Sequence, residues 1–331
     1  MRARRAYSGA AVALLVLTLP GCSGSPSPSP TGAVAAATGT PAPTRPAASS
    51  VRPSVAVATP SPAASVAQAW KQGGEDTIVE SFPTGQFGKS AKITNRWLPF
   101  VGGTQWSFEG SAIVEGKRIP RRIVITTTDL TKVINGVASV VNYETDYNNG
   151  ELVEAELAFF AQADDGTVWN MGEHPEEFED GEYVESPTWL AGIGDSKAGV
   201  MMLADPSVPT PSYSEGWGPA VGWTDRGRVF EVGSSTCVTA GCYDEVLVID
   251  EFNRDEPDAH QLKYYAPGIG GVRVGWAGAK EDEQEVMQLV KLVHLDAAAL
   301  GKIQDAALAL EKHAYLVSKD VYGTTEPIVT G

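Results

Sequence analysis

NGVASVVNYETDYNNGELVEAELAFFAQADDGTVWNMGEHPEEFEDG, the stretch from Asn135 to Gly181, decides the fold. Four turn signals divide it: Asn135-Gly136, Asn149-Gly150, Asp165-Gly166 and Asp180-Gly181, spaced 14, 16 and 15 residues apart. Asn-Gly and Asp-Gly supply the positive φ angles that tight hairpins need. Between the turns the chain alternates. Val137, Val141, Tyr143 and Tyr147 share one parity; Val153, Ala155, Leu157, Phe159 and Ala161 share another, with Glu154 and Glu156 pointing the opposite way. A period of two with polar partners predicts half-buried antiparallel strands joined by hairpins.

Outward from this stretch, further strands are expected at Trp106–Val114 and Ile119–Thr128 before it. After it they are expected at Arg228–Gly233, Glu245–Asn253, Gln261–Ala266 and Gly271–Trp276. About nine strands with short connections form a meander that closes as a barrel or curls as a half-barrel. The C-terminal segment has a different period. Asp296 is an N-cap candidate, and Leu300, Ile303, Ala307, Leu310 and Val317 follow at near-helical spacing. One amphipathic helix is predicted over Asp296–Lys319, packed on the sheet across one end or edge. The expected fold is therefore mainly β with one C-terminal helix.

The N-terminus is an address. Arg2, Arg4 and Arg5 precede an apolar run from Ala10 to Leu19, which is too short for the roughly 20 residues of a spanning helix. The run ends in Leu19-Pro20-Gly21-Cys22, a pattern similar to the bacterial lipobox. In proteins with that motif the cysteine sulfur carries a diacylglycerol and the chain is cut before the cysteine. The expectation is a signal peptide over 1–21, lipidated (palmitate-bearing) Cys22, and a tether over 22–68. Two acyl chains anchor stably, at about 0.8 kcal/mol per buried methylene. The tether is almost entirely Ser, Pro, Thr, Ala, Gly and Val with no aromatic residue, its only charges being Arg45 and Arg52, and includes Ser25-Pro26-Ser27-Pro28-Ser29-Pro30. Such a segment buries too little surface to offset its ordering entropy, and its prolines keep it extended at about 3.1 Å per residue. Residues 69–331 form the folded domain.

The first 68 residues hold five Arg and no acid, so 69–331 carries 20 basic and 41 acidic side chains, a formal charge of −21. That balance excludes nucleic acid as a partner and repels anionic lipid surfaces. The partners expected are the membrane, through the covalent anchor, and an envelope ligand or protein. The location expected is the extracytoplasmic face of the bacterial cell membrane.

With Cys22 lipidated, Cys237 and Cys242 remain, and an even pair in an exported domain reads as a disulfide. Zinc needs four ligands, and no second cysteine pair exists. His174, His260, His294 and His313 are scattered, so no metal and no cofactor is expected. No Gly-x-Ser-x-Gly elbow, His-Glu-x-x-His helix or phosphate loop is present. A hydrolase would draw first on His174, Glu177 and Ser196. The carboxylates of His174–Glu182 otherwise read as a solvated hairpin tip. The segment Asp205–Trp223 offers Tyr213, Trp217 and Trp223 as ligand-binding candidates on a long loop; the alternative is that they plug the mouth of the barrel.

Asn95–Gly110 (NRWLPFVGGTQWSFEG), Tyr264–Gly270 (YYAPGIG) and the hairpin from Asn149 through Phe159-Phe160 to Trp169 together resemble a family of exported, actinobacterial-type lipoproteins of uncharacterised function. The resemblance spans about 95–275. Gly271-Val272 departs from the Leu-Val that follows the second motif in related families. It implies a β-rich envelope domain and brings no activity. Three functional classes follow: a non-enzymatic binder of a small ligand or envelope component, a structural or interaction module, and an unrecognised hydrolase.

Overall fold

A computed structural model describes residues 80–253, 258–280 and 284–330. The signal sequence, Cys22 and the tether lie outside them.

The first half of the domain is a meander of long strands: β1 (Thr104–Val114), β2 (Lys117–Ile134), β3 (Val137–Asn148), β4 (Glu151–Gln162) and β5 (Val168–Glu179). Short strands follow: β6 (Glu182–Glu185), β7 (Trp189–Leu190), β8 (Lys197–Met202), β9 (Tyr213–Ser214) and β10 (Gly216–Trp217). A second meander comprises β11 (Arg226–Val238), β12 (Gly241–Phe252), β13 (His260–Ala266), β14 (Gly270–Trp276) and β15 (Glu285–His294). Helix α1 (Ala297–Val317) and β16 (Val329–Thr330) end the chain.

The turn chemistry fixes the first meander. Asn135 and Asn149 take φ of 50° and 52°, and each is followed by a glycine at φ of 78° or 87°. Two successive positive φ values twist a two-residue loop in the same sense as its strands. Asp165-Gly166 instead sits in a longer loop between β4 and β5. Glu115 and Gly116 make a further tight turn, at φ 50° and 72°, from a less conventional pair.

Pairing of β1 with β15 joins the two meanders into one antiparallel sheet, in the order β10-β8-β5-β4-β3-β2-β1-β15-β14-β13-β12-β11-β9. The sheet is not closed. Its two ends are halves of one segment: Tyr213-Ser214 pairs with β11 and Gly216-Trp217 pairs with β8, with Glu215 between them. Each half is two residues long, too short to continue a ladder into a barrel. The sheet does curl, because Phe160 of β4 shares an apolar cluster with Leu247 and Ile249 of β12 and Tyr265 of β13.

The other face of the sheet carries α1. Asp296 caps the helix, its carboxylate accepting from the Ala299 amide at 2.8 Å. Leu310, Ala307 and Ala314 pack on Leu130, Ile134, Val141, Leu157 and Phe159. The helix therefore lies on a sheet face over β2, β3 and β4, not across an end or edge. The odd-numbered apolar row of β4 is what it covers. A buried ion pair fastens it: Lys132 Nζ donates to Glu311 Oε1 at 2.9 Å and to the Glu326 carbonyl at 2.6 Å, 4.2 Å from the Tyr322 ring centre. Glu311 also accepts from the Ile328 amide at 2.8 Å. This set ties β2, the helix and the last residues together.

Three expectations are corrected. Sixteen strands are present among the described residues rather than about nine: four are only two residues long, and β6, β8 and β15 are the other additions. Strands β3 to β5 are buried on both faces, since α1 covers one and the curl of the sheet covers the other. For the same reason His174, Glu176 and Glu177 are not at a solvated tip: they are 0%, 4% and 6% exposed.

Candidate functional site

The concave face of the sheet has two halves. Pleat parity assigns its residues. On β3 the inward row is Val140, Asn142, Glu144 and Asp146, and on β4 it is Phe160, Ala158, Glu156 and Glu154, each opposite its partner. On β5, Glu177 lies opposite Glu154 and Glu173 opposite Ala158. Going along the strands, the interior thus passes from apolar to acidic. The two acidic rows, Glu144-Glu156 and Asp146-Glu154-Glu177, run across adjacent strands about 4.8 Å apart.

Like charges directly opposite one another destabilise a sheet, and buried charges cost more. The protein offsets this with two interior cations. Arg121 donates to Asp146 Oδ2 at 2.7 Å, and its Nε lies 2.9 Å from Glu285 Oε1. Lys263 Nζ lies 3.3 Å from Glu251 Oε1. Two cations do not neutralise this many acids, so protons must. Burial first, and then the Asp146 charge, push Glu144 up to about 8. Burial likewise pushes Asp146 up to about 7, despite Arg121. Glu154, Glu156 and Glu173 are held well above the carboxylate range by burial and by each other's charges. Trp189 Nε1 donates to Glu173 Oε1 at 3.0 Å.

Where the apolar and acidic halves meet lies a partly enclosed cavity of about 100 Å³. Its apolar wall includes Phe100, Trp106, Phe108, Ile123, Phe160 and Met287, and its polar lining includes Asn142, Glu144 and Lys263. Several local features build it. Trp106 is held by its indole N–H, which donates to the Ile269 carbonyl at 2.8 Å. Phe100 packs edge-on to Trp106 at 6.2 Å and against Phe160 at 4.9 Å. Gly271 faces Phe108 with room for a side chain: an added Cβ would lie 3.7 Å from that ring. Asn142 is wholly buried, and neither its amide nitrogen nor its carbonyl oxygen has a hydrogen-bond partner among the described residues. The same holds for Glu144 Oε2. Buried amides are nearly always paired, so an amide unpaired at both atoms beside a cavity makes Asn142 a candidate binding position.

Tyr213 and Trp223 are 4% and 6% exposed, and Trp223 stacks obliquely on Trp189 at 5.5 Å. Trp217 pairs with Lys197 at the sheet end. None of the three lines the cavity. The hydrolase candidates do not converge. His174 faces the helix side, where its Nδ1 lies 2.7 Å from Thr188 Oγ1 and its ring 5.2 Å from Tyr322. Glu177 is on the opposite face of β5, since it lies three positions along an unbulged stretch. Ser196 closes a turn, its amide donating to the Ile193 carbonyl at 3.1 Å. Cys237 and Cys242 are bonded directly across the β11–β12 hairpin. Among the described residues no three His, Cys, Asp or Glu side chains gather as a metal site, and no helix is long and apolar enough to cross a membrane.

Sequence reasoning missed Asn142, Glu144 and the cavity. The signal was present: Asn142, Glu144 and Asp146 occupy one parity of β3, and Glu154 and Glu156 one parity of β4. Such a polar row ordinarily faces water.

No known family model matches the chain, and no curated protein matches it. Among solved structures it is similar to a protein of Bacteroides fragilis described as exported with a YmcC-like fold. The identity is 14% and the TM-score 0.34, over 60% of this chain and 99% of that one. It is also similar to a protein of Parabacteroides distasonis described as a lipoprotein, at 12% identity and TM-score 0.31, again over 60% of this chain and 99% of that one.

Proposed function

We propose that this chain is a lipid-anchored protein of the extracytoplasmic face whose β domain binds a small, mainly apolar molecule in the cavity lined by Trp106, Phe160 and Asn142. The anchor rests on the charged start, short apolar run and Leu19–Cys22 motif. The binding role rests on one observation above all: an aromatic-walled cavity ends at a wholly buried amide whose two polar atoms have no hydrogen-bond partner among the described residues. The non-enzymatic reading fits the dispersal of His174, Glu177 and Ser196 over separate faces and a turn.

The size of the cavity limits the ligand. An engineered cavity of about 150 Å³ holds benzene; one of about 100 Å³ takes a short alkyl chain or part of a ring, with the remainder outside its open side. The test is calorimetric titration of 1-hexanol into the wild type and into Gly271→Leu. The new side chain would grow from the cavity wall, starting at ordinary contact distance from Phe108 and Tyr265. Saturable binding to the wild type that is lost in the variant is the expected result. Equal heats in both would remove the reading. Intact-mass measurement of the protein from bacterial membranes tests the anchor, which requires a chain beginning at diacylated Cys22.

A further inference from the structure

The cavity meets the carboxylates on one side only, and that side sets which head group it accepts. Its polar end presents Asn142, with an unpartnered oxygen and nitrogen, and Glu144, with an unpartnered oxygen. Immediately behind Glu144 stand Glu156 on β4 and Asp146 on β3, with Glu154 opposite Asp146. The interior cations are already engaged, Arg121 by Asp146 and Glu285, Lys263 by Glu251. The one other cation at the cavity is Arg273. It lies over the Tyr264 ring at 5.4 Å and 3.5 Å from Thr236 Oγ1, and it is half-buried, so water screens it more than it screens the floor. The floor is therefore acidic: protons neutralise its carboxylates when the cavity is empty, and an ammonium paired with Glu144 stands in for the proton there. The walls are rich in aromatic rings, among them Trp106, Phe108 and Tyr265, which attract an ammonium over their faces. An ammonium also supplies donors for the Asn142 and Glu144 oxygens at once.

Building on the binding role above, we infer that the cavity selects an amphiphile with a protonated amine head: a short alkyl- or aralkyl-ammonium rather than an alcohol or carboxylate of the same length. On binding, Glu144 gives up its proton to solvent and its carboxylate pairs with the ammonium, so the amine supplies a charge that Arg121 and Lys263, engaged elsewhere, do not.

The experiment compares n-hexylammonium, 1-hexanol and hexanoate by calorimetry at pH 7, using the mature chain from residue 22 with Cys22→Ser so that no detergent competes. The wild type is expected to bind hexylammonium at least tenfold more tightly than either other probe. Glu144→Gln should bring the amine down to the level of hexanol, and Gly271→Leu should abolish binding of all three. Hexanoate binding as tightly as hexylammonium would show that Arg273 and Lys263 dominate, overturning the head-group assignment while the cavity reading stands. Because that comparison uses wild-type protein, it decides the matter even if Glu144→Gln fails to fold. If no six-carbon probe distinguishes wild type from Gly271→Leu, the binding reading itself falls.

Discussion

Replacing Glu144 by Gln should make the protein more stable in mild alkali and leave it unaffected in acid. The carboxyl sits among Asp146, Glu156 and Lys263 with one oxygen unpartnered, and burial raises it from an ordinary 4.5 to about 8. Below pH 4.5 both folded and unfolded chains carry the proton, and the group contributes no pH dependence. Between 4.5 and about 8 the unfolded chain ionises while the folded chain keeps its proton, so stability falls as pH rises. At about 1.4 kcal/mol per pH decade, the full interval amounts to roughly 5 kcal/mol. Glutamine has the same shape and no such interval. Relaxation and water entry around an ionised Glu144 reduce the wild-type penalty, so a net effect of about 2 kcal/mol or more is expected. The assay is urea unfolding of wild type and variant, followed by tryptophan fluorescence at pH 5 and pH 9. The variant should lie within about 1 kcal/mol of the wild type at pH 5 and exceed it by more at pH 9. A stability difference that is the same at both pH values, or a variant weaker at pH 9, would refute the account of the acidic interior.

Lys132→Ala leaves Glu311 buried beneath the helix without its cation, and should cost about 3–5 kcal/mol in chemical denaturation; a loss under 1 kcal/mol would mean that the pair does not fasten α1. Asp296→Ala removes the side-chain cap on the Ala299 amide and should cost about 1 kcal/mol, seen as faster amide exchange confined to the first turn of α1. Replacing both Cys237 and Cys242 by Ser should cost about 2 kcal/mol by the loop-entropy relation, read from chemical denaturation.

The fold was legible where local chemistry dictates it. Asn135-Gly136 and Asn149-Gly150 admit little but tight hairpins, and the parity of Leu157, Phe159 and Ala161 marks a buried face. Asp296 and the helical spacing after it placed α1 within two residues at its C-terminal end. Strand β15 was readable but unread: Met287 and Leu289 both reach the core, in a run of β-branched and apolar residues. The site was legible in its residues and not in its orientation. Parity shows that Glu144, Glu154 and Glu156 share a face of the sheet. Only the long-range curl, which brings β4 against β12 and β13, decides that this face points inward. Nor does any local pattern reveal that Asn142, one polar residue among several, ends as a wholly buried amide without a partner.

The most direct test of the central claim is a crystal of the folded protein soaked in n-hexylamine. The account predicts one ordered chain between Trp106, Phe108 and Met287, its nitrogen within hydrogen-bond distance of Asn142 and Glu144. A cavity that stays empty at saturating amine, or a chain lodged with its nitrogen at the solvent mouth beside Arg273, would contradict it.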